Sequence, residues 1–124
     1  MKIACQNLTG AALDWAVARL QNVELDENNV PIWFDTDGPG AARATYSPST
    51  NWAQGGPILE REKISPAYEP SLVYDDSCRW KAICQMSDDG PHHGPTLLIA
   101  AMRCYVASKL GDTVDIPDGL VVDA

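Results

Sequence analysis

Between Thr9 and Gln21 apolar residues return every third or fourth position. Leu13, Ala16, Val17 and Leu20 share one face, with Trp15 near its edge. Thr9 stands where a helix N-cap is expected, so the spacing predicts a helix over GAALDWAVARLQ. The KIAC before it reads as a short strand. A period of two takes over in SCRWKAICQM, where Cys78, Trp80, Ala82, Cys84 and Met86 alternate with Arg79, Lys81 and Gln85. The strongest helical pattern is PTLLIAAMRCYVASKLG. Leu98, Ala101, Met102, Tyr105, Val106 and Lys109 form one stripe, while Leu97, Ile99, Ala100, Cys104 and Ala107 make much of the other side apolar. Pro95 suits its first turn and Gly111 its C-terminal cap. A helix apolar nearly all round must be covered by its own domain or by another subunit. A chain of 124 residues has little core to spare, so the pattern predicts a homo-oligomer.

The stretch between these elements has no period. Asn28-Asn29 marks a turn, VPIWF is a short strand or packed loop, and DTDGPGAA interrupts all regular structure. Prolines concentrate from Pro31 to Pro70. Residues 35 to 76 therefore read as a long ordered loop insertion, with Tyr46, Trp52, Ile58, Leu59, Ile64 and Tyr68 to anchor it. SDDGPHHG reads as a loop, and DTVDIPDGLVVDA as one more short strand. The expected fold is a single domain over 1–124 of the α+β class. Two main helices pack on a small, mostly antiparallel sheet.

Charge narrows the partners. Seventeen Asp and Glu stand against nine Lys and Arg, a net charge of -8 with a pI near 4.4. That disfavours wrapping a long nucleic acid, which needs clustered cations. It leaves room for one small anion in a locally basic pocket. No apolar run approaches the roughly 20 residues of a membrane span, and MKIACQNLTG lacks the pattern of a signal peptide, so the expected address is the cytoplasm. Cys5, Cys78, Cys84 and Cys104 are irregularly spaced with no CxxC pair, which predicts buried thiols rather than a zinc site. Asp88, Asp89, His92 and His93 resemble a metal cluster on paper. Adjacent histidines in a loop rarely ligate one ion, and the chain has no third, so neither metal nor cofactor is expected.

Candidate chemistry gathers in YSPSTNWAQGGPILERE, residues 46 to 62. Tyr46 or Trp52 could stack on a planar ring. Ser47, Ser49, Thr50 and Gln54 offer neutral hydrogen-bonding groups. The Gly55 and Gly56 amides could converge on an anion, and Arg61 could pair with a phosphate. The bland alternative is a tight turn closed by its own hydroxyls, and composition alone favours it. Thr96, at the start of the long helix, marks free N–H groups suited to an anion. Arg103 is the odd cation on that helix, reaching either Asp14 or a ligand. No GxSxG elbow, Cys–His signature or P-loop is present, and paired carboxylates such as Asp35/Asp37 and Glu60/Glu62 suit a solvated face.

Together, LTGAALDWAVA, YSPSTNWAQGGPILERE and GPTLLIAAMRCYVASKLGD resemble the small phage proteins of the NinX-like group, over about residues 7 to 115. That pattern falls on Leu13, Asp14 and Trp15; on Tyr46 to Thr50, Trp52 and Gln54 to Pro57; and on Pro95, Ile99, Ala100, Arg103 and Tyr105. The resemblance implies a phage accessory protein acting in a bacterial host cytoplasm, and no established activity. By analogy with phage proteins that sequester immune signals, the expectation is a non-catalytic binder of a nucleotide-derived small molecule. Its ligand-binding set would be Tyr46, Ser47, Ser49, Thr50, Trp52, Gln54, Gly55, Gly56, Arg61, Thr96 and Arg103. Two alternatives stand beside it: a protein-binding inhibitor or recombination accessory acting on a host enzyme, and a small hydrolase of a nucleotide signal.

Overall fold

In chain order the computed structural model, which describes residues 1–34, 43–68, 79–84 and 90–120, contains β1 (Lys2–Ala4), α1 (Gly10–Leu20), β2 (Trp33–Phe34), β3 (Arg43–Ala44), α2 (Trp52–Arg61), β4 (Ile64–Tyr68), β5 (Trp80–Cys84), β6 (His92–Gly94), α3 (Leu97–Leu110) and β7 (Thr113–Asp115). All strand pairs are antiparallel: β1 with β7, β2 with β3, and a three-stranded sheet in the order β4-β5-β6. The fold is α+β, as the periodicities predict.

α3 is the centre. It touches α1, α2 and every strand of the three-stranded sheet. Leu98 and the unbroken run from Ala100 to Ala107 are buried. The apolar-all-round pattern is thus satisfied within one chain, and the case for a second subunit loses the observation that motivated it. Thr96 caps α3 through Oγ1, which accepts from the Ile99 N–H at 3.2 Å. Gly111 ends it at φ +90, a backbone geometry that favours glycine. Pro95 lies just before the helix rather than in its first turn. Thr9 occupies the N-cap of α1, but its side chain makes no capping bond.

In the sheet, Ala82 and Cys84 of β5 are buried and Trp80 half-buried, the face the alternation predicts. Cys78, Gln85 and Met86 lie outside the described residues. β4 tolerates Pro66 because it is an edge strand, paired on one side only. The Asn28-Asn29 turn forms as expected. Asn29 has φ 63, and Asp26 Oδ1 accepts from the Asn28 and Val30 N–H groups.

Two loop expectations need correction. His92 and His93 sit in β6, where His92 pairs with Ala82 and His93 with Lys81. Ser87, Asp88 and Asp89 lie outside the described residues. Within 35 to 76, the described part is largely regular: it holds β3, the ten-residue helix α2 and β4. Residues 35–42 and 69–76 fall outside the description. α2 was hidden by Gly55, Gly56 and Pro57, which together disfavour a helix by about 5 kcal/mol on intrinsic propensity. Asn51 offsets part of this by capping, its Oδ1 accepting from the Ala53 N–H at 2.9 Å. Packing supplies the rest, with Ile58 buried in the core cluster.

Candidate functional site

Tyr46 to Thr50 form a turn fixed from three directions. Ser47 O accepts from the N–H groups of Thr50 and Asn51 at 3.0 and 2.8 Å. Gln54 reaches back from α2: its Oε1 accepts from the Ser47 N–H at 2.6 Å, and its Nε2 donates to Thr45 O at 2.9 Å. On the core side, Asp14 Oδ1 accepts from the Ser49 N–H at 3.0 Å. Asp14 is therefore tied to the turn, and the Arg103 pairing offered as one option from sequence does not form. Arg103 is buried, with Nε donating to Leu8 O at 2.7 Å and an Nη to His93 O at 2.6 Å.

Burial pushes the Asp14 carboxyl above its ordinary value, while the Ser49 backbone and side chain pull it part of the way back. A raised folded-state pKa means the native chain holds the proton longer than the unfolded chain. Stability from this group is therefore present below the unfolded pKa and declines as pH rises through the folded one. Asp14→Asn keeps an acceptor for the Ser49 N–H and removes the ionisation. It is expected to flatten this acid-side decline in urea midpoints measured against pH, and to be neutral or stabilising at pH 7.

Beside the turn lies a groove of about 480 Å³ lined by Ser49, Thr50, Trp52, Trp80, Pro95, Thr96, Leu97 and Leu98. It runs along the N-terminal ends of α2 and α3 together. First-turn N–H groups have no partner inside their own helix and carry partial positive charge. Trp52 stands 55% exposed on this groove. The Ser49 hydroxyl is buried with no partner in good hydrogen-bond geometry among the described residues. All nine Lys and Arg lie among the described residues, and none lines the groove.

A second, smaller cleft of about 270 Å³ brings Tyr46, Gln54 and Arg61 together with Gln21 and Trp33. The Trp33 and Tyr46 rings meet at 4.8 Å, and burial pushes the Tyr46 hydroxyl up to about 12. Arg61 is already engaged, with Nε donating to Glu62 at 3.0 Å and an Nη to Gln21 Oε1 at 3.2 Å.

The sequence set is therefore divided. Ser49, Thr50, Trp52 and Thr96 meet in the groove; Tyr46, Gln54 and Arg61 meet in the cleft. Ser47 is part of the turn, and Arg103 is in the core. Gly55 and Gly56 are consecutive helix residues rather than an anion-binding nest, and the Gly55 N–H is used on Asn51 O at 2.8 Å. Trp80 of the groove and Gln21 and Trp33 of the cleft were not anticipated. Trp80 had one available signal, a large aromatic at the end of an otherwise small-residue strand face. Among the described residues no group of His, Cys, Asp and Glu could hold a metal ion, and no helix is long and apolar enough to cross a membrane. Cys5, Cys84 and Cys104 are buried.

No curated protein matches the chain significantly. The family model described as Bacteriophage P22, NinX matches residues 4–109, which takes in α1, the Tyr46–Thr50 turn, both depressions and nearly all of α3. With so much of its length matched, the chain belongs to the NinX family of phage proteins.

Proposed function

We propose that this phage accessory protein acts in the host cytoplasm as a non-catalytic binder, sequestering a nucleotide-derived small molecule in the groove at Trp52. One observation carries the reading: an indole 55% exposed beside the N-terminal ends of two helices. The indole offers a stacking face for a base, and the helix ends offer N–H donors for ribose or phosphate oxygens. The described lining holds no carboxylate, histidine or cysteine, which favours holding over cleaving. The volume falls in the usual range for small-ligand sites, roughly 300–1,000 Å³.

The test is release. The protein is incubated with ADP-ribose and with cyclic dinucleotides, freed of unbound material, heated to denature it, and the supernatant resolved by chromatography. Intact nucleotide in near-stoichiometric amount supports sequestration, whereas a cleaved product supports a hydrolase instead. Trp52→Ala is expected to weaken capture about tenfold or more, since base–aromatic stacking contributes about 1–3 kcal/mol. Its unfolding free energy should stay within about 0.5 kcal/mol of the parent, because the side chain is mostly outside the core.

A further inference from the structure

We propose that the depression walled by Trp15, Arg19, Leu20, Leu110, Val114 and Asp115 is a second binding site, built for a small apolar molecule carrying one negative charge, such as an aromatic carboxylate. It shares no lining residue with the Trp52 groove. Its volume, about 360 Å³, suits a small molecule.

The charge complement comes from Arg19. Trp15 and Arg19 are four residues apart on α1 and so lie on one face, a turn apart. The guanidinium carbon sits 5.1 Å from the Trp15 ring centroid, a cation–π contact that holds an exposed side chain in place. In a chain with a net charge of -8, an arginine would be expected to find a carboxylate. Among the described residues Arg19 finds none. Asp115, in the same depression, instead accepts from the Met1 ammonium at 3.1 Å.

A second observation is independent of that charge. Trp15 is 6% exposed, and its indole N–H is buried with no acceptor among the described residues. Unsatisfied buried donors are uncommon in folded proteins and call for an explanation. A ligand oxygen would pair with the exposed guanidinium, and would reach the covered indole N–H once the Arg19 side chain shifts off the Trp15 ring. Leu20, Leu110 and Val114 supply an apolar wall, and Leu110 stands 46% exposed. One guanidinium balances one charge. Asp115 and Asp118 nearby outnumber the Met1 ammonium they share, so a second negative charge is repelled, which selects a monoanion over a phosphate dianion.

The probe is 2-naphthoate, titrated into the whole protein and followed by ¹H–¹⁵N correlation spectra. Saturable shifts of the Trp15 indole N–H and the Arg19 Nε–H are expected. The neutral 2-naphthalenemethanol should bind about tenfold more weakly, and inorganic phosphate should shift neither signal. Arg19→Gln should weaken binding about tenfold while leaving the urea midpoint unchanged, because the side chain is exposed. Trp52→Ala should leave the titration as it is. The proposal is overturned by the absence of saturation at several millimolar naphthoate, by equal affinity for the neutral alcohol or for Arg19→Gln, or by loss of the shifts in Trp52→Ala.

Discussion

Gly55→Ala is expected to cost about 2–3 kcal/mol of folding free energy, while the same change one residue later stabilises the protein. A Cβ at position 55 would come within 2.3 Å of the Pro48 carbonyl oxygen and 2.8 Å of Leu98 Cδ2. The oxygen belongs to backbone, in a turn already fixed by Gln54 and by Asp14, so neither partner withdraws cheaply. Overpacking of this kind typically costs about 1–3 kcal/mol and sometimes more, against a helix-propensity gain of up to about 1 kcal/mol. At position 56 the nearest atom to a new Cβ is Trp52 Cε3 at 3.7 Å, an ordinary contact. There the propensity gain stands alone, and Gly56→Ala should raise stability by about 0.5–1 kcal/mol. Urea unfolding of the two variants tests this directly. Equal effects of either sign would mean that α2 does not approach the turn as closely as the structure shows. Because Gly55 packs against Leu98, which lines the groove, its replacement should also disturb ligand capture at Trp52, whereas Gly56→Ala should not.

That contrast explains where sequence reading worked and where it failed. α1 and α3 were legible because their apolar spacing follows the helical period, and β5 because it alternates. These patterns are written by the core itself, so burial and sequence carry the same information. α2 was illegible because Gly55, Gly56 and Pro57 are poor helix formers taken one at a time. The reason for Gly55 lies in how the chain folds back on Pro48 and in Leu98 of α3, which no local window contains. The oligomer expectation lost its motive for a related reason. Periodicity shows that α3 must be covered, but not that α1, α2 and the sheet suffice to cover it.

The site was half legible. Hydroxyls and aromatics in one stretch suggested a single site over residues 46 to 62, yet the stretch folds into a turn and a helix that present two different depressions. Thr96 and Trp52 are far apart in sequence and meet only because two helix starts are placed side by side. Trp80 completes the groove from a strand whose alternation marked it for the core. Arg61 illustrates the limit of reading charges singly. Its guanidinium is held by Glu62 and Gln21, and Glu62 also receives Lys109 at 3.0 Å, so its cation is largely committed to the fold.

Arg103→Ala should cost about 3–5 kcal/mol, and Arg103→Lys should recover little of it. The side chain leaves the middle of α3, is 8% exposed, and divides its donors between the Leu8 carbonyl just before α1 and the His93 carbonyl in β6. Gln6 binds the same His93 peptide groups, donating to its O at 2.7 Å and accepting from its N at 2.9 Å. The start of the chain, the sheet and the central helix are thus joined at one point. Truncation removes a buried charge-assisted pair of hydrogen bonds, strands one carbonyl and weakens another, and leaves a cavity; each effect is worth about 1–3 kcal/mol, and they overlap. Lysine keeps the charge but lacks the planar fork that serves two acceptors in different directions. Arg103→Met separates packing from bonding, since it fills most of the volume and donates nothing. It should stay at least about 2 kcal/mol below the parent in urea unfolding. The sequence left open a different role, in which Arg103 reaches a ligand. That role predicts the opposite pattern: near-parental stability in all three variants, with nucleotide capture lost.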